Sequence, residues 1–204
     1  MRIPAWLPNA LSVLRIALVP VWLALAFGAR SDALAGGDPS PAGPIAVAVA
    51  IAASDVIDGT LARRYGLATN LGATLDAVAD KIAQITWVSF LALAGAPAFT
   101  PLPLWLIGIL AARDLTLGVG WLLVRRKHGQ VDAEHQWHGK ASSVLLFLLI
   151  LGALSGLAAP IIGIGAAAVV VLVIPSTIAY LIKGWRQLTL RAHPRSRTNA
   201  RGEG

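Results

Sequence analysis

A chain of 204 residues with 56% hydrophobic and only 13% charged residues has the composition of a membrane protein, because soluble domains carry about 25% charged side chains. The absence of cysteine excludes disulfides and thiolate metal sites. The net charge of +7 argues poorly for nucleic-acid binding, because the basic residues lie at the ends of apolar segments and form no soluble patch.

Six apolar segments follow one another, each near the roughly 20 residues that a helix needs to cross hydrocarbon. Their continuous apolar runs, without alternation, indicate helices. The predicted spans are about 9–27, 44–62, 72–93, 101–124, 140–157 and 160–182. The sequence therefore predicts an all-α integral membrane protein, a six-helix transmembrane bundle in one domain over residues 1–190. The remainder, 191–204, is predicted to be a polar, basic and disordered tail.

The first span contains two residues that are unusual in an apolar run, Arg15 and Pro20. A kink at Pro20 is tolerable because neighbouring helices can satisfy the freed carbonyl. A cleavable signal peptide is the alternative for this span, but the run exceeds the 7–15 residues of a signal peptide's apolar region and Arg15 interrupts it. A retained helix is the preferred interpretation.

The positive charges indicate the orientation of the bundle. Arg63 and Arg64 follow the second span, Arg125 and Arg126 follow the fourth, and Arg30 is the one basic residue in an odd-numbered loop. The positive-inside rule then places both termini, and the second and fourth loops, in the cytoplasm. The protein is accordingly predicted to be a multi-pass protein of the cell membrane, with part of its positive charge attracting anionic headgroups.

Four aspartates interrupt the second and third spans. Asp55 and Asp58 stand at the end of one span, and Asp76 and Asp80 at the start of the next. Spacings of three and four residues put each pair on one face of its helix. Because a short cytoplasmic loop makes the two helices antiparallel neighbours, the four carboxylates are expected to converge there.

Such a cluster needs neutralisation, since an unpaired intramembrane carboxylate costs several kcal/mol. Arg63, Arg64 and Lys81 are the only bases expected nearby, too few for four acids. Divalent Mg²⁺ or Mn²⁺ ions suit carboxylate and water ligands. A pair of such ions clamps the attacking and leaving oxygens in phosphoryl transfer. A two-metal site is therefore predicted.

A different class of protein also uses intramembrane acids, namely a cation- or proton-coupled transporter. The residues between the aspartates distinguish the two readings. Gly59 and Ala62 leave room for a ligand on the same face, and Arg63 adds a cation suited to phosphate. Small residues at this spacing are also the commonest packing device between membrane helices, so taken singly they favour packing.

The spacing of these residues resembles a known signature. The stretch Asp55-x2-Asp58-Gly59-x2-Ala62-Arg63-x8-Gly72-x3-Asp76-x3-Asp80 is similar to the complete signature of the CDP-alcohol phosphatidyltransferases. The opening LPNALSVLRIALVP is similar to that of the branch with phosphatidylglycerophosphate synthases and cardiolipin synthases. The resemblance implies transfer of the phosphatidyl group of CDP-diacylglycerol to an alcohol, with release of CMP. It also suggests a homodimer.

The resemblance also implies roles for single residues. Asp55, Asp58 and Asp76 would be metal ligands, and Asp80 a ligand of the second metal as well as the catalytic general base. The CDP-lipid site is expected to include Gly59, Ala62 and Arg63, with Gly72 allowing close approach of the third helix.

The acceptor alcohol is harder to predict. Arg113 in the fourth span and Lys140 at the start of the fifth are cations at or below the membrane surface, and a phosphate on the acceptor would supply their anion. Snorkelling to the interface is the alternative role. Glycerol 3-phosphate is the preferred acceptor, giving phosphatidylglycerophosphate. The pair Arg113–Asp114 resembles cardiolipin synthases, so phosphatidylglycerol stays open as acceptor, as does an inositol phosphate.

Overall fold

The protein is a helical bundle, described here by a computed structural model for residues 7–65, 70–128 and 137–189. These ranges contain six α-helices and no strand. In chain order the helices are α1 Leu7–Leu34, α2 Ala42–Tyr65, α3 Asn70–Leu93, α4 Leu104–His128, α5 Trp137–Leu154 and α6 Ala159–Thr189. The all-α class and the six helices predicted from the sequence are confirmed, whereas the predicted tail at 191–204 lies outside the described residues.

Three of the six helices contain a stretch long and apolar enough to cross a membrane, namely Asn9–Leu34, Ala42–Thr60 and Ala159–Ile182. Helix α5 has a shorter apolar stretch, Ala141–Leu154. Helices α3 and α4 contain charged side chains, in the first half of α3 and in the middle and at the end of α4, which lower their hydropathy. Six membrane spans therefore remain a prediction.

Several helix ends differ from the predicted ones, and α1 is the clearest case because it ends at Leu34 instead of near residue 27. The residues after Phe27 continue the helix as far as Leu34, and it ends before Gly36, which adopts a left-handed φ of 79°. There the amide of Gly36 donates to the carbonyl of Ala33 at 3.2 Å, and that of Gly37 to Asp32 at 2.9 Å. These bonds satisfy the last carbonyls of α1 and end it.

Helices α4 and α6 also extend beyond the predicted spans, to His128 and Thr189 instead of about residues 124 and 182. Their ends are rich in basic and polar residues. Such residues end an apolar run in the sequence, but they are compatible with a helix, so the helix continues through them. Helix α4 starts at Leu104 and not at residue 101, because Pro103 disfavours helical geometry in the residue before it.

The bundle packs around α1 and α3. Helix α1 lies against both α2 and α3, while α6 lies against α4 and α5. At the centre, the fully buried Trp22 of α1 contacts two rings of α3, with ring centroids 6.2 Å from Trp87 and 5.4 Å from Phe90. Trp87 in turn lies 5.9 Å from Phe147 of α5. This aromatic cluster sets the position of α1 beside the acid-bearing part of α3.

The connections after α1, α3 and α5 meet at one end of the bundle. Arg30 Nε donates to the carbonyl of Ala96 at 3.2 Å, linking the end of α1 to the α3–α4 connection. Thr100 Oγ1 donates to the carbonyl of Leu157 at 2.7 Å, linking that connection to the one between α5 and α6. The aspartates of α2 and α3 therefore belong to the opposite end.

Candidate functional site

The predicted acid cluster is built around a cation from the first helix, Arg15. Its Nη1 donates to Asp55 Oδ1 at 2.6 Å and its Nη2 to Asp58 Oδ2 at 2.5 Å. The same Nη2 also donates to Asp76 Oδ1 and, at 3.2 Å, to Ser12 Oγ. One guanidinium thus joins carboxylates from two other helices.

Arg15 corrects the expectation that Arg63, Arg64 and Lys81 are the only bases near the acids. The residue is only 1% exposed, and a buried cation in an apolar helix needs anionic partners. Packing of α1 against both α2 and α3 brings it to these partners, which lie 40 to 61 positions away in sequence. Lys81 does not serve the cluster in this way, since its amine donates to Asp114 of α4 at 2.6 Å.

Three of the four predicted metal ligands form a compact set. Asp55, Asp58 and Asp76 each offer one carboxylate oxygen, and these oxygens lie within 4.8 Å of one another. Asp58 is buried and the other two are half-buried. Three convergent hard oxygen donors fit a divalent cation of the Mg²⁺ or Mn²⁺ type.

Asp80, the predicted catalytic base, is not a member of this set of three. It is exposed and lines a cavity of about 400 Å³ together with Arg15 and Asp55. The cavity therefore has one polar end, at the cluster. Gln84 and Ser143 also line it. The rest of the lining is apolar and comes from α2, α3 and α5, including Ala52, Trp87, Leu146, Phe147 and Ile150.

The predicted acceptor residue Arg113 lies away from this cavity's lining. Its side chain is 16% exposed, and Nη1 is 3.9 Å from Asp114 Oδ1. Asp114 receives the stronger contact from Lys81, which also donates to Gln84 at 3.1 Å. This α3–α4 ion pair was not predicted from the sequence. Lys81 and Asp114 are 33 positions apart, and no local spacing predicts their contact.

The remaining predicted site residues lie near the ends of the described ranges. Gly59 lies in α2 one residue after Asp58, and Gly72 in α3 one turn before Asp76, both partly exposed. Ala62 and Arg63 belong to α2 and Lys140 to α5, but their side chains lie outside the described residues. Their predicted roles stay predictions.

Comparison with known proteins decides the family. The chain matches the family model of CDP-alcohol phosphatidyltransferases over residues 5–182. It belongs to this family. The match covers all of the acid cluster, Arg15 and the cavity, so the resemblance carried by the aspartate signature is confirmed.

Relatives with described activities share about a third of their residues with this phosphatidyltransferase. A probable phosphatidylglycerophosphate synthase of Mycobacterium tuberculosis is 34% identical over 191 residues, covering 89% of this chain and 83% of the relative. The cardiolipin synthase (CMP-forming) of Streptomyces coelicolor is 34% identical over 154 residues, covering 74% and 67%. The CDP-diacylglycerol–glycerol-3-phosphate 3-phosphatidyltransferase of Bacillus subtilis is 30% identical over 134 residues, covering 63% and 66%.

Membership in the family makes the chain an enzyme of phospholipid biosynthesis and, with its apolar helices, a membrane protein. Phosphatidyltransferases of this family use CDP-diacylglycerol and an alcohol acceptor, and they generally depend on a divalent metal. The three-carboxylate set fits that requirement.

Proposed function

We propose that the protein transfers the phosphatidyl group of CDP-diacylglycerol to glycerol 3-phosphate, giving phosphatidylglycerophosphate and CMP. The observation that carries this proposal is the set of Asp55, Asp58 and Asp76 beside a mainly apolar cavity, which Asp55 itself lines. A diphosphate needs the polar end, and two acyl chains need the apolar walls. Relatives described as phosphatidylglycerophosphate synthase and as glycerol-3-phosphate phosphatidyltransferase support the acceptor.

The reaction is an in-line displacement at the lipid-bearing phosphorus. The acceptor hydroxyl oxygen forms a bond to that phosphorus, and the bond from the phosphorus to the oxygen bridging it to CMP breaks. Divalent cations held by Asp55, Asp58 and Asp76, with Asp80 as a proposed ligand of a second one, would neutralise the diphosphate. Catalysis then depends mainly on positioning and charge.

Asp80 is proposed to be the general base. Its side chain lines the cavity beside Asp55 without an ion pair to Arg15 among the described contacts, unlike the other three aspartates. A carboxylate in that position is available to take the proton of the acceptor hydroxyl as the new bond forms.

The cavity wall between α2 and α5 suits the acyl chains of the lipid. Ala52 of α2 and Leu146, Phe147 and Ile150 of α5 line it without contributing charge. On the nucleotide side, we propose that Gly59, Ala62, Arg63 and Gly72 hold the cytidine and the diphosphate. Arg113 and Lys140 are proposed to bind the phosphate of the acceptor.

The setting of this site in the cell is part of the proposal. All six helices would cross the cell membrane, with both termini and the acid cluster on the cytoplasmic side, where water-soluble glycerol 3-phosphate is available. The metal would be Mg²⁺ or Mn²⁺, and the protein would act as a homodimer.

The acceptor is tested by a panel assay on the purified chain. CMP release from CDP-diacylglycerol is measured with Mg²⁺ or Mn²⁺ and, separately, glycerol 3-phosphate, phosphatidylglycerol, inositol phosphate or serine. We expect release with glycerol 3-phosphate only. Release with phosphatidylglycerol and none with glycerol 3-phosphate would reassign the protein as a cardiolipin synthase, an activity that the Streptomyces coelicolor relative supports.

Gly59→Leu tests the nucleotide site against the transporter alternative. The substitution leaves every aspartate in place but fills the space beside Asp58, so CMP release should be lost. Gly28→Leu is the matched control, since a Cβ added at Gly28 meets no atom within 4 Å. A transporter would instead show ion-dependent flux in sealed vesicles and would be indifferent to CDP-lipid.

A further inference from the structure

Arg15 occupies the place where the acid cluster would hold a metal ion. We propose that its guanidinium is an internal counter-ion of the aspartate cluster, and that a divalent cation must displace it from Asp58 and Asp76 in order to bind. This inference rests on the use of a metal in the proposed function. It adds that Arg15 competes with the metal ion for the same carboxylates.

The contacts make the two cations mutually exclusive at the carboxylate oxygens that Arg15 occupies. A single nitrogen, Nη2, bridges the oxygens of Asp58 and Asp76, with 2.5 Å to Asp58 Oδ2. A Mg²⁺ ion sits about 2.1 Å from each carboxylate oxygen that binds it. An ion shared by these two oxygens would therefore occupy the space that Nη2 fills.

The charges favour replacement of Arg15 by a divalent ion. Three carboxylates carry −3 and Arg15 carries +1, so the cluster with Arg15 alone keeps a charge of −2. The single charge reduces repulsion among Asp55, Asp58 and Asp76 and holds them together. It is too small to neutralise them, and a divalent ion brings twice the charge to the same oxygens.

The surroundings of Arg15 allow the movement. Among the described residues, Arg15 contacts Ser12 Oγ at 3.2 Å besides the three carboxylates, and its Nε has no hydrogen-bond partner there. Arg15 also lines the cavity of about 400 Å³. A guanidinium released from the acids has this space beside it, so no backbone shift of α1 is required.

The test measures metal binding directly, on the purified full-length protein without CDP-lipid. Mn²⁺ affinity is determined by electron paramagnetic resonance for wild type, Arg15→Met and the control Arg30→Met, whose arginine lies on α1 and contacts Ala96. Removing an internal competitor raises the apparent affinity. We expect Arg15→Met to bind Mn²⁺ at least about fivefold more tightly, and Arg30→Met to match wild type.

Thermal unfolding supplies a second readout. Without metal, Arg15→Met should unfold at a lower temperature than wild type, because three carboxylates are left without a counter-ion. Added Mn²⁺ should raise its midpoint by more than it raises that of wild type. Equal or weaker Mn²⁺ binding by Arg15→Met would overturn the inference, since Arg15 would then support the ligands and not compete for them.

Arg15→Lys keeps the proposal testable if the methionine variant does not fold. Lysine retains the positive charge, but its compact ammonium replaces the planar guanidinium with its several N–H donors. It therefore cannot contact all three carboxylates as Arg15 does. Tighter Mn²⁺ binding than wild type is again expected, and unchanged or weaker binding would count against the proposal. If wild type binds no Mn²⁺, the proposed use of a metal is wrong. If wild type binds Mn²⁺ and releases CMP, but neither variant binds Mn²⁺ more tightly, only the inference about Arg15 is wrong.

Discussion

At the scale of single residues, Asp80 differs from the other three aspartates in ways that can be measured. Asp55, Asp58 and Asp76 are engaged with Arg15, whereas Asp80 is exposed to the cavity. Asp80→Asn removes the proposed proton acceptor and keeps the size of the side chain. Its kcat for CMP release should fall about 10²–10⁴-fold, the usual contribution of a general base.

The same variant should keep Mn²⁺ binding at the set of three acids. Asp32→Asn is the matched control, because Asp32 is an exposed acid near the opposite end of α1. An Asp80→Asn enzyme with near-normal kcat would remove Asp80 from the role of base. An Asp80→Asn enzyme that no longer binds Mn²⁺ would show that Asp80 is also a ligand of the ion held by the three other aspartates.

The aspartates were predictable from the sequence and Arg15's partners were not. Asp55 and Asp58 lie one helical turn apart, so their shared face follows from local geometry. The contacts of Arg15 span 40 residues or more and depend on how α1 packs. One signal was available: an arginine inside an apolar span needs an anion, and the second and third spans hold aspartates.

At the scale of helices, the glycines that end α1 and α5 are points of conformational constraint. Gly156 has a φ of 75°, and after it the amide of Leu157 donates to the carbonyl of Gly152 at 3.0 Å. Gly156→Ala must adopt a left-handed backbone that costs a non-glycine residue about 1–2 kcal/mol. The thermal midpoint of unfolding in detergent should fall accordingly.

Gly163→Ala provides the comparison for this prediction. Gly163 lies inside α6 and a side chain there meets no atom within 4 Å. Alanine is the better helix former by about 1 kcal/mol, so this variant should be as stable as wild type or more so. Equal losses in both variants would show that the conformation at Gly156 is not the cause.

Helix existence was predictable from hydropathy, whereas helix ends were not. An apolar run shows which part of a helix can lie in lipid. The helix itself ends where its last backbone carbonyls accept hydrogen bonds from donors outside the regular helical pattern. In α1 that point is Gly36, well beyond the apolar residues. The same distinction explains why α6 continues through Lys183 to Thr189.

The ion pair between Lys81 and Asp114 links α3 to α4, which otherwise pack more closely against other helices. The amine is 40% exposed and the carboxylate 24%, so the pair is partly solvated. Asp114→Asn should lower the free energy of unfolding by about 1 kcal/mol or less. The measurement is thermal unfolding beside Asp38→Asn, an exposed acid outside any helix. A decrease of several kcal/mol in the free energy of unfolding would mean that the Lys81 amine is not solvated by water once the ion pair is removed.

At the scale of the whole molecule, the two ends of the bundle have different chemistry. One end gathers the connections after α1, α3 and α5 through Arg30, Ala96 and Thr100. The other carries the acid cluster and the basic end of α2. In the proposed orientation a membrane separates these two ends, with the basic end on the cytoplasmic side. The proposed reaction requires the same orientation, since glycerol 3-phosphate reaches the site from the cytoplasm.

This orientation is testable because the chain contains no cysteine, so any introduced thiol is the only one. Asp38→Cys places it in the exposed α1–α2 connection, and Arg64→Cys at the exposed end of α2. In intact cells a membrane-impermeant maleimide should label Asp38→Cys at once and Arg64→Cys only after the membrane is permeabilised. The reverse pattern would put the acid cluster outside the cell, away from glycerol 3-phosphate. Labelling of both sites in intact cells would mean that α2 does not cross the membrane, which would contradict the proposed placement of the bundle.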